Sequence, residues 1–305
     1  MSDNQLNIAV LLTCYNRREK TCACLDKLFL SVEEYNKSAE KNNLKLTVFL
    51  VDDGCTDGTA DAVVKLFSEH DIRIIKGDGN LFWAGGMRLA WSEAYRYHAD
   101  WNFYLLLNDD TDVFSNTFIE LFNTHYYCLS TYNKEGIYSG ITCAKNNHTI
   151  MTYGGDVWIN RLTGKTKRLL PGNKPQMCDM TNANILLVSS KVVDKVGMLS
   201  EDYKHGMADY DYAIRARKAG IPVLITANFC GACDNDHTPL EETARRIVNM
   251  TLKERKKYFD HPIHSNKDYI RYIYNTSPMR LPIVYVGRFL NLYFPKFYYR
   301  INKIR

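Results

Sequence analysis

The 305-residue sequence lacks several features that would place it in other classes of protein. Nothing at the amino terminus resembles a secretory signal, because "MSDNQLN" runs straight into the strand-like "IAVLLTCY". No window offers about 18 uninterrupted apolar residues, so a membrane-spanning helix is not expected. Without an export signal, the nine scattered cysteines read as reduced thiols and the expected location is cytoplasmic. "CGAC" (Cys230 to Cys233) is one CxxC without a second, and it does not sit at a thioredoxin-like strand–helix junction. There is no GxxxxGK[ST] segment. "GDGNLF" has two of the three glycines of GxGxxG, but it follows the third strand-like run and puts Phe82 in the third place. A P-loop and a Rossmann dinucleotide site are therefore both disfavoured. Internal repeats and low-complexity segments are also absent.

What is present is an alternation of short apolar runs and helical patterns. "NIAVLLTCY", "LKLTVFLVDD", "IRIIKG" and "WNFYLLLNDD" read as strands, each followed by an amphipathic helical segment. This β–α alternation predicts an α/β fold with a doubly wound, mostly parallel, Rossmann-like sheet. Residues 133–170 break the rhythm with short strands and Gly-centred turns, read as a small β-rich insertion or edge hairpins. "MTNANILLVSSKVVDKVG" returns to strand and helix, "ADYDYAIRARKAG" is helical, and "IPVLITANF" is a further strand. From Pro239 onward the pattern is helical, which predicts a domain over 1–240 and a helical extension over 241–305.

Each early strand ends in polar residues: Thr13, Tyr15, Asn16 and Arg17, then Asp52 and Asp53, then "GDGNLFWAGG", then Asn108, Asp109, Asp110 and Asp112. In a doubly wound sheet these tips converge on one crevice. Crowded carboxylates repel unless a cation neutralises them, and hard oxygen ligands suit Mg²⁺ or Mn²⁺. The acids after "LLL" are thus either a polar turn capping the next helix or a divalent-metal site completed by substrate phosphates. The crevice itself reads as a nucleoside-diphosphate pocket.

Five segments, "VLLTCYNR", "VDDGCTDGT", "GNLFWAGGMRLAW", "LLLNDDTDV" and "MADYDYAIRARKAG", occur in an order that resembles family 2 nucleotide-sugar glycosyltransferases of GT-A fold. "GNLFWAGG" is most similar to the rhamnosyltransferase-like branch of bacterial surface-polysaccharide synthesis. The resemblance spans about residues 6–240 and implies a metal-dependent, inverting hexosyltransferase using a UDP- or dTDP-sugar. It implies that Thr13 and Tyr15, with Asn16 and Arg17 beside them, line the base pocket. Asp53 would bond the pyrimidine and Asp52 support its loop. "NDD" stands at the DxD position, so Asn108 faces the ribose, Asp109 lies beside it and Asp110 holds the metal. Asp209 falls on the catalytic base and Asp211 on the substrate-binding acid of the same helix start. Ala208 replaces the usual Glu, which leaves that acceptor contact open. His237 matches a metal-completing histidine of some members.

Plainer readings stand beside these. Asp209 and Asp211 also suit a helix start by charge alone. Arg215 and Arg217 could be a solvated helix face, His237 a loop histidine, and Asp112 a turn or cap residue. Trp83, following Gly79 and Asn80 at a strand exit, could be a sugar-stacking platform or core, with Asn80 as a substrate contact beside it. Gly85 and Gly86 could simply permit close helix packing. Nucleotidyltransfer to a sugar phosphate is the alternative chemistry, but "TCYNRREK" has no glycines for a triphosphate loop.

The net charge of +5 is uneven: from Thr251 onward there are 12 Lys/Arg and 3 Asp/Glu, leaving 27 and 31 in the first 250 residues. Residues 269–305 carry seven Lys/Arg, no acids and ten aromatics. Such a segment could cap the domain, but Tyr and Phe beside basic residues also suit an anionic membrane surface. No nucleic-acid module accompanies it. The resemblance implies a glycan or polyprenyl-diphosphate-linked acceptor, presented at the inner face of the cytoplasmic membrane.

Overall fold

The computed structural model describes residues 5–38, 42–97, 100–235, 238–264 and 266–302. Strands β1 (Leu6–Cys14), β2 (Leu44–Asp52) and β3 (Ile72–Lys76) alternate with helices α1 (Arg18–Ser38), α2 (Thr59–Leu66) and α3 (Phe82–Arg96), leading to β4 (Phe103–Leu107). β1 pairs in parallel with both β2 and β4, and β2 pairs in parallel with β3. The chain therefore builds outward from β1 to β3 and then crosses back to the other side of β1. That reversal between β1 and β4 is the switch point at which open α/β sheets hold ligands.

A two-residue strand, β5 (Asp112–Val113), and α4 (Thr117–Tyr132) follow. Next come β6 (Ile137–Ala144), β7 (Asn147–Tyr153), β8 (Gly155–Asn160), β9 (Lys165–Arg168), β10 (Gln176–Met177), β11 (Met180–Thr181) and β12 (Ile185–Ser189). Helices α5 (Ser190–Val196) and α6 (Ala208–Lys218) lead to β13 (Val223–Ala232). The main sheet has the order β10-β13-β6-β12-β4-β1-β2-β3, with β5 on β13 and β7 on β6. β12 runs antiparallel to both of its neighbours, while β6 and β13 are parallel to each other. One reversed strand thus interrupts an otherwise parallel run from β13 to β3.

Central strands are apolar on both faces because helices cover both. Phe103 to Leu107 of β4 are all buried, as are Ile8 to Leu12 of β1. Their side chains alternate between two cores, one carrying α3, α6 and Trp91, the other α1, α4 and Phe118.

The β-rich insertion is smaller than its sequence pattern predicts. β6 is a central strand, and only β8, β9 and β11 form the separate three-stranded sheet. Gly140 explains the difference, since a Cβ there would lie 2.9 Å from Cys230 Cβ. The glycine that reads as a turn in the sequence is needed for close packing inside a sheet.

Helices α7 (Leu240–Asn249), α8 (Leu252–Asp260), α9 (Asn266–Thr276), α10 (Leu281–Tyr293) and α11 (Pro295–Ile301) complete the chain. They share a small core of Ala244, Ile247, Phe259 and Tyr299. Tyr272 and Ile273 of α9 join the core of the main domain instead, so the extension is docked as well as self-packed.

Candidate active site

The exits of β1, β2, β3 and β4 meet, as the alternation requires. Two glycine turns touch here: Gly54, at φ +84°, would place a Cβ 3.0 Å from Gly79 Cα, and Gly79 has φ +81°. The β2 and β3 loops can approach this closely only without side chains. Asp52 Oδ1 accepts the backbone N–H of Cys55 at 2.7 Å, closing the β2 turn. Asp53 is buried and ties the β3–α3 loop down. Its Oδ1 accepts from Gly79 N (2.9 Å) and its Oδ2 from Leu81 N (3.0 Å) and Phe82 N (3.1 Å). These bonds engage both oxygens with the amides at the start of α3, where a carboxylate also complements the helix dipole. Contact with a base would have to be made alongside them.

Thr13 packs against α3, where a Cβ on Gly86 would come within 2.2 Å of its Oγ1. Tyr15 stands at the rim with 58% of its surface exposed. Asn16, at φ +50°, accepts the backbone N–H of Thr56 at 2.7 Å, joining the β1 and β2 loops. Trp83 is half-buried, and its Nε1 donates to Asn108 Oδ1 at 2.7 Å, which ties α3 to the β4 exit. Gly85 is buried under Leu81, and Asn80 is exposed beside it.

The acids after β4 are held by a guanidinium. Arg17 Nη1 lies 3.1 Å from Asp109 Oδ1 and 2.8 Å from Asp110 Oδ2. Asp109 also accepts from Thr21 Oγ1 at 3.2 Å. Burial raises the Asp109 carboxyl to about 6, with Arg17 opposing and Asp110 reinforcing the shift. Asp112, expected as a turn or cap residue, lies on β5 and pairs with Lys27 (3.1 Å) and Lys145 (3.2 Å).

Asp110 is the acid that can serve a divalent cation. It is a hard oxygen donor on the crevice rim, and its Oδ1 has only a weak contact with Cys233 Sγ, at 3.7 Å. A second group, Cys14, Asp52 and Cys55, brings its ligand atoms within 4.8 Å of one another. Burial pushes both thiols up, so they stay protonated and suit neither Mg²⁺ nor Mn²⁺. His237 lies outside the described residues.

Asp209 opens α6 behind Met207, whose φ is +67°. Its Oδ1 accepts from Tyr210 N (2.9 Å) and its Oδ2 from Ala183 N (3.3 Å). Burial raises its carboxyl to about 6, and those backbone bonds restrain the rise. Asp211 behaves otherwise. It is 1% exposed, accepts from Tyr203 Oη at 3.1 Å and pairs with Arg215 Nε at 2.8 Å. Asp211, expected as a substrate-binding acid, is thus held inside the protein by Tyr203 and Arg215. Arg215 is not a solvated surface residue either, since it also donates to Val196 O and Met198 O.

Residues 182–184, which the sequence reading left unassigned, connect the two halves of the site. The Asn182 side chain and Ala183 N hold Asp209. Asn184 O accepts from Asn108 N at 3.0 Å, and Asn184 Nδ2 meets Cys233 Sγ beside Asp110. The available signal was a polar "TNAN" directly before the apolar "ILLV".

Comparison with known proteins follows this geometry. Residues 9–127 match the family model described as "Glycosyl transferase family 2". No curated protein matches the sequence. Among solved structures, the mannosyltransferase PcManGT from Pyrobaculum calidifontis, in complex with GDP-Man and Mn²⁺, is similar at 13% identity and TM-score 0.51. The alignment covers 92% of this chain and 73% of that one. The S. aureus TarS 1–349 fragment, in complex with UDP-GlcNAc, is similar at 12% identity and TM-score 0.51, covering 96% and 88%. The protein is thus an α/β protein of GT-A fold, with a family 2 glycosyltransferase match over its first four sheet strands and added C-terminal helices.

Proposed function

We propose that the protein is an inverting glycosyltransferase that moves a sugar from a nucleoside diphosphate to an acceptor hydroxyl. The observation that carries this reading is the connection of two acidic sites through residues 182–184. Asp110 with Arg17 forms a cationic-acidic edge at the switch point, and Asp209 is a half-buried carboxylate at the start of α6, held by Ala183 N. The family match and the nucleotide-sugar complexes of the two similar structures support the same chemistry.

In this reading Tyr15 and the β1 and β2 loops receive the base, and Arg17 faces the diphosphate. Asp110 would hold Mg²⁺ or Mn²⁺, which supplies charge neutralisation on the leaving group. Asp209 takes the proton from the acceptor hydroxyl as that oxygen attacks the anomeric carbon. No nucleophilic side chain is required. A UDP- or dTDP-sugar is the donor, and a glycan on a polyprenyl diphosphate, as in surface-polysaccharide synthesis, is the acceptor.

A panel of UDP-, dTDP- and GDP-sugars tested by thermal melting checks the donor. At a hundredfold excess over Kd, the right donor should stabilise by about 2.7 kcal/mol. The gain should require Mg²⁺ or Mn²⁺ and disappear in Asp110→Asn with the fold intact. A wild type that binds equally well without metal refutes the role given to Asp110.

The same reading places the C-terminal helices on the inner membrane surface. No helix among the described residues is long and apolar enough to cross a membrane. α10 is nevertheless turned inside out. Arg288 points inward over the Tyr269 ring at 4.7 Å, and Asn291 is buried, while Ile283, Val286, Phe289, Tyr293, Phe294 and Phe297 are exposed. A contiguous apolar face beside Lys296 and Arg300 fits an anionic interface. Flotation with anionic liposomes should recover the full chain, salt-sensitively, and fail for Ile283→Glu/Phe289→Glu. Equal recovery of both forms in the soluble fraction overturns the membrane contact.

A further inference from the structure

At the far end of α6 from Asp209 lies a cavity of about 160 Å³ between that helix, the small sheet and the end of α9. Its walls carry Trp158, Arg161, Asp179, Arg217, Lys218 and Thr276. Measured against the ≈ 30 Å³ share of a liquid water, the space holds a group of about five heavy atoms or slightly more.

The charges around it do not balance. Three cations face one carboxylate, and that carboxylate is already engaged: Asp179 Oδ2 accepts from Trp158 N at 2.8 Å, and Arg161 approaches Oδ1 only to 3.7 Å. Lys218 is exposed at the mouth, donates to Asn275 O at 2.9 Å and has no carboxylate partner among the described residues. Arg217 Nε is buried without an acceptor among the described residues, and Arg217 enters none of their ion pairs. Leaving a charged donor unpaired is costly, on the order of 1–3 kcal/mol or more. A guanidinium fork, however, matches the oxygens of a phosphoryl group.

We infer that this cavity is a second anion site, taking one phosphoryl group of a mono- or diphosphate separate from the donor's. Arg217 and Arg161 bind its oxygens, Lys218 adds charge, and Trp158 offers an aromatic wall for an attached sugar ring. Eight residues of α6 separate Arg217 from Asp209, about 12 Å along the axis. A glycosyl phosphate or diphosphate can span that distance, with its phosphate at Arg217 and a sugar hydroxyl at Asp209. Tyr210 Oη donates to Asp156 Oδ2 at 3.3 Å, fixing the small sheet against α6 between the two points. The link to an acceptor rests on the proposed function, whereas the anion site does not.

Metal-free calorimetry with inorganic pyrophosphate and with farnesyl diphosphate tests this on the full chain. Wild type should bind both, and Arg217→Gln should weaken binding by at least about tenfold. Arg17→Gln, which removes the cation of the donor edge, should retain that binding, which separates the two sites. If Arg217→Gln loses its circular-dichroism signature of folding, Arg161→Gln, on the exposed hairpin, carries the test with a several-fold loss expected. Tighter binding of farnesyl diphosphate than pyrophosphate identifies a lipid-linked source, and equal binding a free phosphate ligand. Absent pyrophosphate binding, binding unchanged in Arg217→Gln and Arg161→Gln, or binding lost in Arg17→Gln overturns the inference. Nucleotide-sugar affinity, measured in the same variants, reports separately on the donor reading.

Discussion

Asp209→Asn should lower kcat by a factor on the order of 10² to 10⁴ while nucleotide-sugar affinity changes little. The substitution removes the proton acceptor and keeps a side chain of the same shape, whose single amide oxygen can accept from Tyr210 N while the weaker bond from Ala183 N is lost. A pH signature should accompany the loss. Burial holds the Asp209 carboxyl at about 6, so the base form is depleted below that pH. Wild-type kcat should rise with pH through about 6 and level above it, and the residual activity of the variant should not follow that curve. Stability moves the opposite way. A carboxyl whose folded pKa is raised above its unfolded value of about 3.9 favours the fold when protonated. Wild type therefore loses this contribution as pH rises from about 4 through 6, and Asp209→Asn should melt above wild type at pH 8. An active Asp209→Asn beside a silent but folded Asp211→Asn would show that the base is the other acid.

Asp211→Ala should act on stability. Asp211 is buried, and its removal strips the partner from Arg215 and the acceptor from Tyr203 Oη. Breaking a buried pair from one side costs about 3–5 kcal/mol, and the lower end applies because Arg215 keeps two carbonyl partners and some solvent. For a chain of this size that is a fall in Tm of about 5 °C. Thermal melting of Asp211→Ala and Arg215→Met decides the matter, since a change below about 1 °C in both would make the pair dispensable. The two acids sit two positions apart on one helix, and the predictions differ because their partners differ.

That contrast shows how far the sequence can be read. Asp209 and Asp211 are equivalent as text, both first-turn acids suited to a helix dipole. Only packing joins one to Ala183 N and leaves it partly exposed, and buries the other against Tyr203 and Arg215. The pairing of Arg17 with Asp109 and Asp110 is similarly hidden, because it joins residues 92 and 93 positions apart. The sequence poses the problem of crowded carboxylates, and a guanidinium from the β1 exit answers it in the fold. Gly140 was misread for a related reason: a glycine signals a turn locally, and its close approach to Cys230 appears only when β6 and β13 pair.

By itself, the sequence determined the parallel β–α half of the fold, the convergence of its strand exits and the basic, aromatic character of the tail. These follow from local periodicity and composition, which act over a few residues and survive without tertiary context. The tertiary structure alone decided which acids are paired, that Arg217 Nε is left without an acceptor among the described residues, and that α10 exposes Ile283, Val286 and Phe289. Those outcomes depend on burial and on partners distant in the chain, and the free energy of a buried charge is set by what surrounds it.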